Sequence, residues 1–413
     1  MGDAIVDFVS PAVVVGLDVN GLGVVRALHR GGVPTVALDT DFDKPTAATR
    51  FPRKIRISSL AGPEFISELL ELQPRLGKRP FLILTHEESV ATISLEREKL
   101  AGKYLFSMPS HAVMTELLDK CGFQALAERL GFPIPRAVRV TPALGTEATR
   151  DLRFPCVLKP PHKHAGYANR FVKAYKVNSE EEVGRLWSQM QEVVDEILVQ
   201  EWIEGGDSDV YFCLQYRGDR GPSVSFVGRK VCQWPPLVGG TASCMPAPEA
   251  SAELIALTDR FFAAVGFVGI GSMEYKRDTR DGRFYMVEPT VGRTDYQEEI
   301  AALNGVNIPL AAYRMALGEA PPPAIPASPP RAWRDPDGYA QARRAGAPDP
   351  MSRLAPGIRV SDAYFRIDDP MPLVVLKLAP LRRRLCRGRR RALSSSRAKS
   401  PAGKSQDPPV SAP

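Results

Sequence analysis

Long apolar runs are absent from this chain of 413 residues, and none approaches the roughly 20 residues needed to span a bilayer. The first ten residues carry two aspartates, whereas a secretory signal would be basic at that place. Together these absences exclude a transmembrane protein and argue against export, so we expect a cytoplasmic location. The length predicts two to three domains, at about 150 residues per domain.

Paired cysteines and a phosphate-binding P-loop are absent as well. The six cysteines include no C-x-x-C pair, which argues against a disulfide scaffold or a structural zinc site and fits a reducing compartment. The five histidines form no ligand set and are expected at the surface or in a loop. No G-x-x-x-x-G-K-[ST] motif occurs, so P-loop chemistry is not supported.

Excess basic charge is confined to the last part of the sequence. The net charge is +7, but residues 371–413 alone carry +10, which leaves −3 for residues 1–370. A nucleic-acid partner of the body is therefore not expected. We expect a solvated, disordered tail over 371–413, and contact of its arginine cluster with an anionic membrane or a nucleic acid is the alternative.

Strand and helix patterns alternate at the start of the chain, which indicates a parallel sheet. Strands are predicted at 12–16, 35–39 and 81–85. Gly16, Gly21 and Gly23 follow the first strand, as in a dinucleotide fingerprint, but Arg26 stands where a third glycine is required. The pattern favours a tight strand-to-helix turn of a Rossmann-like unit, and a nicotinamide or flavin oxidoreductase is the weaker alternative.

The next region indicates an α+β fold centred on antiparallel sheet. A helix is predicted over 115–130, and short β-type runs separate two further helical patterns at 179–196 and 250–265. The composition changes at residue 321, where six prolines occur in ten residues. Such a segment cannot be helix or central strand, so 319–370 is predicted to be linker and appendage, with one ordered segment at 362–370.

A hairpin centred on Asp281 places two glutamates opposite each other. In this register Glu274 faces Glu288, Ser272 faces Thr290, and Tyr275 faces Val287. The apolar face then consists of four residues: Met273, Tyr275, Tyr285 and Val287.

Two carboxylates at this distance, with Cβ atoms roughly 5 Å apart, repel each other. A hard divalent cation such as Mg²⁺ removes the repulsion and keeps coordination positions open for phosphate. The alternative is two solvated glutamates on an exposed face.

Two lysines stand among apolar residues in the same region. Lys120 lies in the predicted helix 115–130, and Lys159 ends the apolar strand PCVLK. A lysine that ends a buried strand beside a flexible loop is a suitable phosphate ligand, because its ammonium group is a compact point charge. The loop 160–171 contains Lys163 and Arg170 and is predicted to close over an anion.

In order and spacing, these segments resemble the ATP-grasp superfamily, specifically its carboxylate–amine ligase branch. The resemblance covers residues 11–318 and rests on the N-terminal unit followed by LLDKCGFQALAERLGFPIP, FPCVLKP, ILVQEWIEGGDSD, FVGRKVCQWPPLVGG and VGIGSMEYKRDTRDGRFYMVEPTVGR. It implies a Rossmann-like pre-ATP-grasp domain over 1–112 and an ATP-grasp domain of two α+β subdomains over 113–318. The smaller subdomain would span about 132–206, followed by the linker (319–370) and the basic tail (371–413).

The resemblance also implies roles for particular residues. ATP would lie between the two subdomains, with loop 160–171 as a lid over the triphosphate. Mg²⁺, or Mn²⁺ in its place, would be held by the facing glutamates. The implied ATP ligands are Lys120 and Lys159 for the phosphates, Gln200, Glu201 and Ile203 for the adenine, and Asp207 or Asp209 for the ribose. The implied metal ligands are Glu274, Glu288 and Thr290. The implied catalytic arginines are Arg293 and Arg229.

Two departures from the family pattern are present. Many relatives have asparagine two residues after the second metal-binding glutamate, and here Thr290, with a weaker hydroxyl ligand, takes that position. The lid also has fewer glycines than usual and contains two histidines.

The function implied is a ligase that activates a carboxylate as an acyl phosphate and joins it to an amine. Small molecules, peptides and glycan acids are all compatible substrates, and a nucleotide- or metabolite-binding module without ligation is the alternative.

Overall fold

The computed structural model describes residues 10–160, 167, 170–172, 174–219, 223–346, 354 and 356–379, which form three β-sheets with helices packed on them. The strands are β1 (Ala12–Val15), β2 (Thr35–Asp39), β3 (Arg53–Arg56), β4 (Phe81–Leu84), β5 (Ala137–Val140), β6 (Cys156–Lys159), β7 (Tyr175–Val177), β8 (Ile197–Glu201), β9 (Val210–Arg217), β10 (Val224–Trp234), β11 (Gly240–Pro246), β12 (Gly269–Arg277), β13 (Phe284–Val291), β14 (Arg331–Arg334) and β15 (Arg359–Asp362). The helices are α1 (Val19–Arg30), α2 (Gly62–Leu76), α3 (Glu87–Leu95), α4 (Arg97–Leu100), α5 (His111–Leu118), α6 (Lys120–Arg129), α7 (Glu180–Met190), α8 (Ser251–Ala264), α9 (Glu299–Leu303), α10 (Ile308–Ala316) and α11 (Pro336–Arg344).

The first sheet is parallel, with strand order β3-β2-β1-β4, and contains the three strands predicted from the sequence. Every residue of β1, β2 and β4 is buried, because helices cover both faces, and these strands are therefore almost entirely apolar. β3 is the exposed edge and carries three basic residues. Charged side chains on an edge strand protect it from pairing with other chains.

Arg26, which replaces the third glycine of the fingerprint, has a structural role. Its side chain is 1% exposed and donates from Nε to Asp369 Oδ2 over 2.9 Å. It also donates to the carbonyl oxygens of Ala363 and Tyr364. Arg366 Nη2 in turn lies 2.6 Å from Glu299 Oε2. This buried ion cluster fastens the segment 362–369 to helices α1 and α9.

The second sheet is small and antiparallel, with strand order β5-β8-β6-β7, and helix α7 packs on it. The Ser179 hydroxyl accepts a hydrogen bond from the Glu182 amide and so fixes the start of α7. At the edge of this sheet, β7 is a short strand of three residues. Most of the predicted lid, 160–171, lies outside the described residues.

The third sheet has seven strands in the order β13-β12-β9-β10-β11-β14-β15. Its last two strands come from 319–370, which the sequence predicts to be linker and appendage. β14 pairs with β11 and buries Trp333, which is 1% exposed. The sequence pattern misses β14 because it has only four residues, R-A-W-R, directly after a proline-rich run. β14 and β15 therefore extend the large sheet, where the sequence pattern predicts no strand.

The predicted helix 115–130 is two helices in the structure, α5 and α6, which meet at Asp119. The backbone of Asp119 is extended, and its carboxylate accepts a hydrogen bond from the Gly122 amide over 2.6 Å. A side chain at Gly122 would come within 2.7 Å of the Glu116 carbonyl oxygen, so the close approach of the two helices requires glycine there. The break makes Lys120 the first residue of α6.

Five cysteines fall in the described part of the chain, and all five are buried free thiols. Burial raises the pKa of Cys121 and of Cys156 to about 12, so these thiols stay protonated and unreactive. Within the residues described, no helix is long and apolar enough to cross a bilayer.

The Arg26 cluster leads to a stability prediction. Replacing Asp369 by asparagine removes the carboxylate that accepts a hydrogen bond from the buried Arg26 guanidinium and leaves only Glu299, at 3.8 Å, as an ion-pair partner. We expect Asp369→Asn to lower the free energy of unfolding by about 3–5 kcal/mol in urea titrations. The exposed pair of Lys99 with Glu96 provides the control, and Lys99→Gln should change stability by less than about 1 kcal/mol. Equal effects of the two variants would contradict a stabilising clamp.

Candidate functional site

A cavity of about 250 Å³ lies between the small sheet and the large sheet. Strands of both sheets and helices α3, α5 and α6 contribute side chains to its wall. Nine of the twelve predicted site residues line it: Lys120, Lys159, Gln200, Glu201, Ile203, Glu274, Glu288, Thr290 and Arg293. Residues separated by up to 173 positions in the sequence thus meet at one place.

The two glutamates of the hairpin face each other across β12 and β13, as predicted, and Ser272 is opposite Thr290. Each carboxylate is paired with a lysine. Glu274 Oε2 lies 2.6 Å from Lys230 Nζ, and Glu288 Oε1 lies 3.1 Å from Lys120 Nζ. Both glutamates remain about one-third exposed, at 30% and 34%, so their oxygens are accessible from the cavity.

The predicted register is wrong beyond Glu274, because β13 contains a bulge. Tyr275 is opposite Met286, where the regular hairpin would place Val287. Met286 is therefore fully buried in the core, and Val287 lines the cavity next to Glu288. A bulge inserts one residue into one strand and changes the face on which the following side chains lie. The prediction that Tyr285 and Val287 share an apolar face with Met273 and Tyr275 is therefore wrong.

A chain of buried hydrogen bonds orients Lys159. Its Nζ donates to Gln200 Oε1 over 3.2 Å, and Gln200 Nε2 donates to Gln124 Oε1 over 2.7 Å. Gln124 Nε2 donates in turn to the Pro135 carbonyl oxygen over 2.8 Å. Lys159, Gln200 and Gln124 are all less than 9% exposed. Because each partner is itself fixed, the ammonium group is held at the cavity wall rather than sampling solvent.

Lys230 is a site residue that the sequence reasoning missed, and it lines the cavity where Arg229 was predicted. Successive side chains of a strand point to opposite faces. Lys230 is therefore directed to the cavity, while Arg229 is outside its wall, with Nε 3.8 Å from Glu249 Oε1. The motif FVGRKV places two basic residues side by side, and the strand's orientation in the sheet decides which of them reaches the cavity.

Asp207 and Asp209 are outside the cavity wall and stabilise the surrounding loops. Asp207 accepts hydrogen bonds from the amides of Gln233 and Leu237, both over 2.9 Å. Asp209 accepts one from the Gly206 amide over 2.8 Å. The structure thus does not bring these two carboxylates together with the other predicted site residues.

Lys276 is a second cavity residue without a sequence prediction. It follows Glu274 by two positions on β12, and its Nζ lies 4.4 Å from the centre of the Trp202 ring. Lys176 lies 4.5 Å from the same ring centre, so Trp202 makes cation–π contacts with two lysines. Burial lowers the pKa of Lys276 from its ordinary value.

Arg293 lies where the large sheet meets the N-terminal sheet. Its Nη1 donates to the Thr294 carbonyl oxygen over 3.1 Å, and its Nη2 is 3.9 Å from Glu87 Oε2. Thr294 and Asn20 exchange two hydrogen bonds, which fix the loop after β13 against α1. The carboxyl ends of the parallel strands therefore form one side of the site, the usual ligand position in open α/β sheets.

The glycine-rich turn beside this edge holds a polar cluster. Lys44 Nζ lies 2.6 Å from Asp18 and 2.7 Å from Asp39, and Asp39 accepts a hydrogen bond from the Leu17 amide. A hydrogen bond from His86 and the charge of Lys44 hold the pKa of Asp18 well below its usual range. Gly16 has φ of +89°, and a side chain there would collide with His86. The turn thus requires glycine for packing.

Known proteins of similar sequence or fold include a ligase, a synthetase and a biotin carboxylase. No protein-family model matches the chain. The chain is 26% identical over 288 residues to D-alanine–D-alanine ligase B of Pseudomonas putida, and the match covers 67% of this chain and 79% of the relative. The fold is similar to an ADP complex of N5-carboxyaminoimidazole ribonucleotide synthetase, with a TM-score of 0.61, 14% identity and coverage of 77% and 79%. A biotin carboxylase complex with β-γ-ATP from Campylobacter jejuni has a TM-score of 0.60, 15% identity and coverage of 76% and 72%.

A buried carboxyl group next to the site leads to a prediction about pH. Glu298 is 1% exposed, its Oε2 accepts a hydrogen bond from the amide of the cavity residue Asp295, and burial raises its pKa to about 8. The folded protein favours protonated Glu298. The contribution of this carboxyl group to the stability of the fold is therefore complete below pH 4.5 and is lost as the pH rises through 8.

We expect Glu298→Gln to become more stable than the wild type by about 1 kcal/mol per pH unit between roughly pH 5 and pH 8. Urea unfolding at several pH values measures this difference. Exposed Glu253 on α8 provides the matched control, and Glu253→Gln should follow the wild-type pH profile. Parallel profiles of Glu298→Gln and wild type would contradict the raised pKa.

Proposed function

We propose that this chain is an ATP-grasp protein and acts as an ADP-forming ligase that joins a carboxylate to an amine, and its similarity to D-alanine–D-alanine ligase B supports the proposal. The observation that carries the proposal is the convergence of Glu274 and Glu288 with Lys120, Lys159 and Lys230 around one cavity. Two carboxylates for a divalent cation and several ammonium groups for phosphate oxygens are what a metal–nucleotide complex requires.

The two glutamates fit a magnesium ion by the chemistry of their donor atoms. Mg²⁺ prefers oxygen ligands, and protein sites use one or two carboxylates together with phosphates and water. Glu274 and Glu288 supply such oxygens from opposite strands, and the hydroxyl group of Thr290 is a weaker third donor beside them. We therefore propose Glu274 and Glu288 as the metal ligands, with Mn²⁺ as the alternative ion. The ion would neutralise charge on the phosphates when it is bound.

The nucleotide is proposed to lie along the wall that runs from Lys120 to Ile203. Lys120 and Lys159 would bind the phosphates, and Glu201 and Ile203 would line the adenine together with Gln200. Trp202 and Lys276 support this end of the cavity through their cation–π contact. Asp207, which holds the amides of Gln233 and Leu237, would shape the ribose end of the pocket indirectly.

In the proposed reaction a substrate carboxylate oxygen attacks the γ-phosphorus of ATP, and the bond to ADP breaks. Arg293 and Lys230 would stabilise the charge on the transferred phosphoryl group, which is the main contribution a protein makes to such a transfer. The amine then attacks the acyl carbon, and phosphate leaves. The segment 160–171 is proposed as the lid that keeps water away from the acyl phosphate.

The domain boundaries are also proposals. The parallel sheet β3-β2-β1-β4 supports a Rossmann-like pre-ATP-grasp domain over 1–112, and the two antiparallel sheets support an ATP-grasp domain over 113–318 with its smaller subdomain at about 132–206. Because β14 and β15 extend the large sheet, we assign 319–370 as an appendage of that domain. We place the protein in the cytoplasm, acting on small carboxylate and amine substrates.

The proposed metal site predicts how nucleotide binding depends on Mg²⁺. Glu288→Gln keeps the shape of the side chain but removes a negatively charged ligand. We expect its affinity for ATP with Mg²⁺ to fall by at least about tenfold in calorimetric titrations, because second-sphere changes alone already cost 10–100-fold in metal sites. Without Mg²⁺ the two proteins should bind ATP with similar affinity. Unchanged Mg·ATP binding by the variant would contradict the site.

Two neighbouring residues of β10 provide a sharper test of the catalytic cations. We expect Lys230→Met to reduce the rate of ADP release by roughly 100-fold or more, as for loss of one transition-state donor. Arg229→Met changes the adjacent residue outside the cavity and should stay within about threefold of the wild type. A large loss of ADP release in Arg229→Met, with little loss in Lys230→Met, would instead assign the catalytic role to Arg229.

Substrates are found with the same ADP-release assay. The curated relative is named for joining D-alanine to D-alanine, so amino acids are the first acids and amines to test. ADP release that requires both an acid and an amine identifies a ligase. Tight ATP binding without turnover for any pair would favour the alternative, a nucleotide-binding module.

A further inference from the structure

An apolar stripe lies exposed at the end of the described chain. Ile367 is 91% exposed at the tip of a turn, and residues 371–379, which follow it, are helical. Along these residues Met371, Val374 and Leu378 are 46%, 41% and 47% exposed. Their spacing of three and four positions places them on one side of the helix. We call these four residues the C-terminal stripe.

The stripe is held firmly against the body of the protein. Arg366 and Asp369, on either side of the turn, are 9% and 1% exposed and belong to the buried cluster around Arg26. Leu373 and Leu376, on the other side of the helix, pack against the core beside the N-terminal sheet. The apolar side chains of the stripe are therefore presented outward by a clamped element.

Strong positive charge follows the stripe directly in the sequence. Residues 382–391 contain seven arginines, and the net charge of 371–413 is +10. The remaining 370 residues carry a net charge of −3. The basic charge is thus concentrated directly after a helix that exposes apolar residues.

We propose that the C-terminal stripe docks the protein onto the surface of an anionic membrane, to which the basic charge of the following sequence attracts it. Apolar side chains enter the headgroup region of such a surface, and arginines are attracted to its negative lipids. A nucleic acid offers phosphates for the arginines but no apolar phase for Ile367 and Met371. A second copy of the chain would carry the same strong positive charge, which opposes its approach. The membrane satisfies both features at once.

The proposal is independent of the ligase reaction, because the stripe shares no residue with the cavity wall. Sedimentation of the full-length protein with lipid vesicles tests it. Vesicles of phosphatidylcholine with about one-third phosphatidylglycerol should bind the protein at least roughly tenfold more tightly than pure phosphatidylcholine vesicles. Raising the salt concentration should weaken that binding, since the attraction of the arginines is screened.

Variants of the stripe and of the arginines separate the two contributions. Ile367→Asp combined with Val374→Asp should weaken binding to the anionic vesicles at least roughly tenfold by removing apolar contact. Replacing the seven arginines of 382–391 by glutamine should weaken it to a similar degree. Leu144→Asp, at a position 59% exposed in the small-subdomain region, is the matched control and should bind like the wild type. Ile367→Asp alone, at the most exposed position, guards against loss of folding in the double variant.

Several outcomes would overturn the proposal. Equal binding of the wild type and both aspartate variants would show that the stripe makes no membrane contact. Tighter binding of the protein to RNA than to anionic vesicles, unaffected by Ile367→Asp, would assign the tail to a nucleic acid. A change from dimer to monomer in Ile367→Asp, with no vesicle binding by the wild type, would assign the stripe to a second copy of the chain.

Discussion

Two glutamates that face each other across adjacent strands set the main constraint on this structure. Like charges in that position are unfavourable unless cations are close by. The protein supplies Lys120 from the start of α6 and Lys230 from β10, at 3.1 Å and 2.6 Å from the carboxylates. The break in the helix at Asp119, the bulge after Glu274 and the orientation of β10 all determine whether these four groups meet.

That arrangement is also what makes the site suitable for a metal–nucleotide complex. Under the proposed function, each lysine that now neutralises a glutamate would contact phosphate oxygens once a divalent cation binds the carboxylates. We regard this exchange of partners as the physical basis of the proposed ligase chemistry, which the similarity to D-alanine–D-alanine ligase B supports.

A second constraint acts at the opposite side of the N-terminal sheet. Arg26 is buried and paired with Asp369, so the late segment of the chain is required to complete the charge balance of an early helix. This ion pair holds the turn that follows β15 against the body of the protein, although the composition of 319–370 resembles a linker. It also places the exposed C-terminal stripe on a rigid base, which is the condition for its proposed use as a docking surface.

The sequence by itself determined the parallel strands of the N-terminal unit, the opposition of Glu274 and Glu288, and the residues Lys120, Lys159 and Arg293 of the cavity. These follow from local periodicity, a recognisable turn at Asp281 and an order of motifs along the chain. The tertiary structure decided the rest: the bulge that buries Met286, the choice of Lys230 over Arg229, and the structural roles of Asp207 and Arg26. Such features depend on which face of a strand meets another element and on partners up to 343 residues away, and no local pattern encodes either.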